Sequence, residues 1–207
     1  METLLKKYSN KNQIFNSDQL FDSLYPENIE LKSAKHWTKI HVIKCSLNFL
    51  TPKKDVQILD IGSGAGKFCM TAGYLKPEAS FYGIEQRKSL INVSNSILNK
   101  LEISNVNFIH GNFTQIDFRK FDHFYFFNAF HENLSGTEKI DHEIEYSQPL
   151  FQYYNRYLFN QLNIKPAGTR IVTFHSNGEE IPPNYRNVEN HFSGLLKFWI
   201  KDKVYSG

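Results

Sequence analysis

Between Ile58 and Phe68 the sequence reads ILDIGSGAGKF, three glycines at 62, 64 and 66 directly behind an apolar run, with an acid, Asp60, two residues before the first. Glycine lets a backbone approach a ligand with no Cβ in the way, and the free N–H groups of a helix that follows can bind a carboxylate or phosphate. The spacing discriminates between ligands. A dinucleotide fingerprint GxGxxG requires its third glycine at 67, where this chain has Lys67, so a nicotinamide or flavin cofactor is disfavoured. Asp60 would repel a pyrophosphate and suits a ligand carrying an ammonium or sulfonium group. Glu85 closes a second apolar run, SFYGIE, 19 residues after Gly66, where a carboxylate accepts from both ribose hydroxyls. Gln86 follows it. After a third run, Gly111, Asn112 and Phe113 offer an amide and an aromatic face to the edge and plane of an adenine. Taken together these features describe a nucleoside site, although each glycine alone also serves a strand-to-helix turn and Glu85 alone also reads as a solvated strand-end acid.

Such groups must be held at the ends of strands. VQILDI reads as a buried strand, Lys67–Leu75 as a helix stopped by Lys76 and Pro77, and SFYGIE as a second strand. Leu90, Val93, Ile97 and Leu101 predict a helix over 88–100, NVNFIHGNF a third strand, and Asp122–Phe127 a fourth. A helix over Ser147–Leu162 follows, with Ser147 as N-cap, Pro149 in the first turn and Phe151, Tyr154, Leu158 and Leu162 as its buried stripe. After the break at Pro166 and Gly168 come a fifth strand, Thr169–Phe174, and a closing strand, LLKFWIK. Ahead of this alternation, residues 1 to about 30 carry an apolar cluster (Leu20, Phe21, Leu24, Tyr25) that stops at Pro26, and Ile40, Ile43, Leu47 and Leu50 predict one amphipathic helix over Ser33–Leu50. The expected fold is α/β, a doubly wound, mostly parallel sheet with helices on both faces. The expected organisation is a helical cap over residues 1–50 and a ligand-binding domain over 51–207.

On Asp60, Gly62, Gly64, Gly66, Glu85, Asn112 and Phe113, the chain resembles the class I S-adenosylmethionine-dependent methyltransferases, from about Val56 to Lys201. The first four match that family's glycine motif, Glu85 its ribose-binding acid, and Asn112 with Phe113 its adenine-side motif, where the family more often has Asp than Asn. The resemblance implies a Rossmann-like, seven-stranded sheet whose antiparallel strand is LLKFWIK, with S-adenosyl-L-methionine as cofactor and no metal. It implies cofactor contacts from Asp60, Gly62, Ser63, Gly64, Gly66, Glu85, Gln86, Asn112, Phe113 and Asn128. A more local likeness is to the histone lysine methyltransferases that lack a SET domain, carried by Gly62–Gly66, Gly83–Glu85, Gly111–Phe113 and Asn128–Phe130. No long basic tail accompanies it, so a histone substrate is not implied.

Methyl transfer from a sulfonium is an in-line displacement, in which the protein mainly positions the acceptor and desolvates the pair. In amino-methylating members the fourth strand ends in Asp or Asn, two prolines and an aromatic residue; this chain has Asn128, Ala129 and Phe130. Asn128 can accept a hydrogen bond from an attacking amine, with Phe127 or Phe130 as a wall, and the missing prolines count against a nucleobase. Asn128, Glu132 and His131 are the candidate catalytic residues, the last two as proton acceptors, although a histidine just past a strand is also commonly structural. From 132 to 145 five carboxylates face the single Lys139. This loop either draws in a cationic acceptor or is a solvated acidic face. Upstream, SAKHWTK offers His36, Trp37 and Thr38 to close the cofactor pocket, with His36 open to a second reading as a core histidine. Lys32, Lys35 and Lys39 read as a wet helix face. Tyr153 and Tyr157 either mark an interface or pack on the sheet.

The favoured acceptor is therefore a cationic protein segment or small amine. The alternatives are an RNA methyltransferase and a non-catalytic nucleoside-binding scaffold. Composition agrees with an acceptor other than nucleic acid: 24 Lys plus Arg stand against 21 Asp plus Glu, a net charge of +3 with no concentrated basic field. With 41% hydrophobic residues the 207-residue chain can bury a full core without staples. Cys45 and Cys69 lie in apolar helical patterns and are expected to be reduced and packed. The charged and polar start METLLKKYSNKNQ and the lack of any long apolar run predict a cytoplasmic protein with no membrane contact.

Overall fold

The computed structural model describes residues 11–203; the first ten residues of the expected cap, and its charged start, lie outside them. Seven strands form one sheet: β1 (Gln57–Ile61), β2 (Ser80–Glu85), β3 (Val106–His110), β4 (His123–Phe127), β5 (Arg170–Phe174), β6 (Tyr185–His191) and β7 (Leu196–Lys201). Their order is β3-β2-β1-β4-β5-β7-β6. The first five are parallel, β7 runs antiparallel to β5, and β6 pairs antiparallel with β7. LLKFWIK is thus the antiparallel strand that the resemblance implied. The strand order reverses between β2 and β4 around β1, and ligands of open α/β sheets bind at that switch point.

Successive residues of β1 point to opposite faces and build two cores. Ile58 joins a cluster with Phe81, Tyr125 and Val172, covered by α1 (Ile40–Leu50), α2 (Lys67–Leu75) and α3 (Lys88–Leu101). Leu59 and Ile61 join Phe124, Phe126 and Ile171 on the other face, under α4 (Gln148–Asn163) and two 3-10 turns, Phe113–Gln115 and Phe118–Lys120. Ser147 caps α4 as expected, accepting from Leu150 N at 3.3 Å, with Tyr154, Leu158 and Leu162 buried and Phe151 half-buried. Tyr157 packs by its ring on Phe113 and Phe118, whereas Tyr153 is exposed. Cys69 is buried and Cys45 half-buried, both free.

Two elements differ from the sequence reading. The single helix expected over Ser33–Leu50 is broken: a turn at Ser33–His36 ends in an extended Trp37 (φ −107°, ψ 137°), and α1 starts afresh at Ile40. The break lets Trp37 leave the helical path and bury itself at 5% exposure, and Asp18 Oδ1 caps the new start by accepting from Ile40 N at 2.9 Å. The strand β6 carries mostly polar, exposed residues because it is a sheet edge, and it has a bulge at Asn187/Glu189; no hydrophobic alternation announces it.

The N-terminal segment shares the first core through Ile14, Phe15, Phe21, Tyr25 and Trp37, and it is anchored to the glycine turn. Lys67 begins α2 at 3% exposure, and its ammonium meets Asp18 at 2.6 Å and Asp22 at 2.8 Å. Tyr25 donates to Ala65 O at 3.2 Å. Removing one partner of a buried pair strands the other's charge, which costs about 3 kcal/mol or more. Lys67→Ala is therefore expected to lower unfolding free energy by about 3 kcal/mol in denaturant titration and to speed hydrogen exchange over residues 17–39. Unchanged exchange there would remove Lys67 as the anchor.

Candidate cofactor and acceptor site

The turn after β1 places three residues in the left-handed region that favours glycine, with no room for a Cβ. Gly62, Gly64 and Gly66 have φ of +76°, +53° and +82°. A Cβ on Gly62 would stand 2.4 Å from Ala129 Cβ, and one on Gly64 2.4 Å from the Trp37 ring. Gly62 N and Ser63 N both donate to Ile84 O at 3.0 Å, which fixes the turn against β2. Glu85, at the end of β2, accepts from Gly64 N at 3.1 Å through Oε2 and from Arg87 N at 2.9 Å through Oε1. Burial raises the Glu85 carboxyl above its ordinary range, and the Arg87 guanidinium opposes that shift. Asp60, opposite Gly83, is buried, and among the described residues its side chain is hydrogen-bonded only by Cys69 Sγ at 3.7 Å; desolvation pushes its carboxyl up to about 8, with the Glu85 charge adding to the rise.

Gly62, Gly64 and Glu85 border a cavity of about 410 Å³, lined also by His36 and Trp37 from the N-terminal segment, Gln86, Gly111 and Phe113, and Phe127–Asn133; Asp60, Ser63 and Gly66 lie behind its wall. That volume suits a small-molecule ligand. Phe113 stacks on Phe130 with ring centroids 4.9 Å apart and meets Tyr154 edge-on at 5.4 Å, a flat apolar surface at the cavity wall. Asn128 follows β4 with φ +40°, lines the cavity, and its amide makes no hydrogen bond among the described residues. His131 stands exposed at the rim.

Other candidates are placed differently from the sequence reading. The Asn112 amide is engaged within the protein: Oδ1 accepts from Thr114 N and Thr114 Oγ1 at 3.0 Å each, and Nδ2 donates to Gln86 Oε1 at 3.0 Å and Tyr154 Oη at 2.8 Å. It thereby holds Gln86 at the cavity instead of presenting a free edge. Thr38 is buried against Tyr125 Oη at 3.0 Å, and Ser63 packs against Gly83, so neither lines the cavity. His36 is half-buried at the cavity, and burial lowers its imidazole below the usual value, keeping it neutral at pH 7. Glu132 is not a free base, because Arg87 Nη2 donates to both its oxygens at 3.0 and 2.8 Å and Ile140 N donates to Oε1 at 2.6 Å.

The acidic loop is likewise not a bare negative field. Arg87 pairs with Glu132 and Asp141, Lys35 pairs with Glu138 at 2.7 Å, and Lys32 donates to Ile140 O at 2.7 Å. Lys35 and Lys39 are exposed, as expected of a wet face, and Lys32 is half-buried; Lys32 and Lys35 also reach this loop. The residue that the sequence reading passed over is Arg87; only its place two residues after Glu85 marks it, since no periodicity or motif points to it.

A family profile described as a methyltransferase domain matches residues 52–196. The chain belongs to the class I S-adenosylmethionine-dependent methyltransferases. Over 54 residues it is 41% identical to the tRNA (guanine-N(7)-)-methyltransferase of Microcystis aeruginosa (strain NIES-843 / IAM M-2473) and 37% identical to that of Synechococcus sp. (strain JA-3-3Ab). Each match covers 26% of this chain and 26% or 23% of the relative, so it spans about a quarter of those proteins. Its fold is that of an RNA methyltransferase from Salinibacter ruber in complex with S-adenosyl-L-homocysteine, with TM-score 0.57, 18% identity and coverage of 82% and 97% of the two chains. The putative methyltransferase yhhF from Escherichia coli is similar at TM-score 0.55 and 17% identity, covering 81% and 89%.

The residues present fit the cofactor of this methyltransferase family. The glycine turn leaves the space that a Cβ would fill, Glu85 places a buried carboxyl at the cavity, and behind the wall Asp60 is a buried acid that has no cationic partner among the described residues. Two outcomes follow. Gly64→Ala, strained at φ +53° and driven into Trp37, is expected to weaken S-adenosylhomocysteine binding at least tenfold by calorimetry. Asp60 has a folded pKa of about 8, above its unfolded 3.8, so the folded state holds the proton longer and this group's contribution to stability falls as pH rises from about 4 to 8. Asp60→Asn is therefore expected to flatten the decline of melting temperature across that range and to raise it at pH 8, while weakening ligand binding. An unchanged pH profile would contradict the buried neutral acid.

Proposed function

We propose that this chain transfers the methyl group of S-adenosylmethionine to a nitrogen presented at Asn128, and that an amine-bearing protein segment or small molecule is the favoured acceptor class. The observation that supports it best is the unpartnered Asn128 amide inside an aromatic-walled cavity that also contains the cofactor-side residues. The bound cofactor supplies an electrophilic methyl on a sulfonium. Gly62, Gly64, Glu85 and Gln86 would hold its nucleoside, with Phe113 against the base, while Asp60 favours a cationic ligand. Asn128 Oδ1 would accept one N–H of the acceptor and turn its lone pair toward the methyl. Phe127 and Phe130 exclude water from that contact, which favours attack by an uncharged nucleophile. His131, free at the rim, would take the proton that an amine releases.

A second reading, RNA as acceptor, is supported by the 54-residue likeness to tRNA methyltransferases and by the paired state of the acidic loop, which removes much of its repulsion of phosphate. Incubation of the protein with methyl-labelled cofactor and fractionated cell extract separates the two. Label in protein or metabolite fractions supports the amine reading, and label in RNA replaces it with the second. Asn128→Ala is expected to reduce turnover about 100-fold by misplacing the acceptor, with S-adenosylhomocysteine affinity within about twofold of wild type. Equal loss of both would assign Asn128 to cofactor binding alone.

A further inference from the structure

Segment 132–146 forms one wall of the cavity, contributing Glu132, Gly136, Ile140 and Tyr146, yet beyond the 3-10 turn at His131–Asn133 it contains no helix or strand. Ile140 packs on the first core, Lys32, Lys35 and Ser89 hold Ile140 O, Glu138 and Glu143, and the densest set of polar contacts meets at one further side chain. The Arg87 guanidinium, 3% exposed, donates through Nη2 to Glu132 and to Tyr146 Oη at 2.6 Å, and through Nε to Asp141 at 3.0 Å. Its Nη1 donates to Glu85 Oε1 at 3.3 Å. One rigid fork thus ties three points of a loose segment to the acid that ends β2.

We infer that Arg87 is a positioning residue that makes ribose capture and closure of segment 132–146 a single event. This rests on the reading of Glu85 as the ribose-binding acid. Two roles meet at the guanidinium. Its charge opposes the rise that burial imposes on the Glu85 carboxyl and so favours the carboxylate, in which both oxygens are acceptors. It also holds the wall shut, because a planar fork with five donors satisfies several carboxylates in fixed directions where an ammonium cannot. A ligand that orders Glu85 therefore orders Arg87 and, through it, Glu132, Asp141 and Tyr146. A segment held by polar contacts opens at lower cost than the sheet, so the coupling acts on a part of the molecule able to move.

The test measures hydrogen exchange over 130–146 in the full chain, with and without S-adenosylhomocysteine, in wild type, Arg87→Lys, Arg87→Met and Glu132→Gln. Ligand is expected to slow exchange in this segment about tenfold or more in wild type. Glu132→Gln should keep ligand binding but lose most of that slowing, with the ligand leaving several-fold faster. Arg87→Met should lose both affinity and slowing, and Arg87→Lys should recover affinity through Glu85 without recovering the slowing. If ligand binds wild type and Glu132→Gln with equal off-rates and the segment exchanges equally in every sample, Arg87 is a static strap and the inference fails. If wild type binds no ligand while its melting transition is intact, the Glu85 reading fails first, a result the exchange data alone could not mimic.

Discussion

Two carboxyl groups, Asp60 opposite Gly83 and Glu85 two residues further along β2, are buried near the carboxyl ends of adjacent strands, and the surroundings of the site answer the cost of that burial. An uncompensated charge in a protein interior either finds partners or gives up its ionisation. The two acids take different routes. Glu85 is met by two backbone N–H groups and a guanidinium; Asp60 has only a thiol nearby and holds its proton to about pH 8. A sheet optimised for stability alone would place apolar residues at both strand ends. On the proposed reading, their presence makes this end of the sheet receptive to a ligand whose hydroxyls donate to Glu85 and whose positive charge favours the ionised form of Asp60.

The same constraint accounts for the wrapping of the site by segments distant in sequence. Burial of Glu85 demands Arg87, and Arg87, with four acidic or phenolic partners, fixes the loop after β4. On the other side Trp37 lies against Gly64, and Lys67, just past the glycine turn, recruits Asp18 and Asp22 from the N-terminal segment. The glycine turn is therefore clamped from both directions. Neither clamp belongs to the strand-and-helix alternation that forms the sheet.

That division explains what was legible beforehand. The alternation of apolar strands with amphipathic helices is a local signal, so β1 to β5, the helices between them and the turn glycines stand out in the sequence. Asp60 and Glu85 were legible because strand ends place them, and Asn128 for the same reason. The helix break at Trp37 was not, because its cause is a contact with Gly64, 27 residues away. Nor was β6, whose polar edge carries no period. Arg87 and the pairing of the acidic loop are tertiary facts: five carboxylates read as a free negative face until the cations brought to them by the fold are known.

The pairing changes how selectivity for an acceptor must work. With segment 132–146 closed, Arg87, Lys32, Lys35 and Lys139 sit among Glu85, Glu132, Glu138 and Asp141, and the wall of the cavity is close to neutral. Long-range attraction of a cationic acceptor then comes only from residues left outside the network, such as the exposed Glu145. On the proposed reading, discrimination falls instead on shape and hydrogen bonding within the cavity, on the aromatic surfaces of Phe127 and Phe130 and the Asn128 amide, which is unpaired among the described residues. An open segment is a different surface, since parting from Arg87 uncovers Glu132 and Asp141 to solvent. If the segment opens as inferred, the charge it presents to an incoming acceptor would be more acidic in the open state than in the paired arrangement seen here.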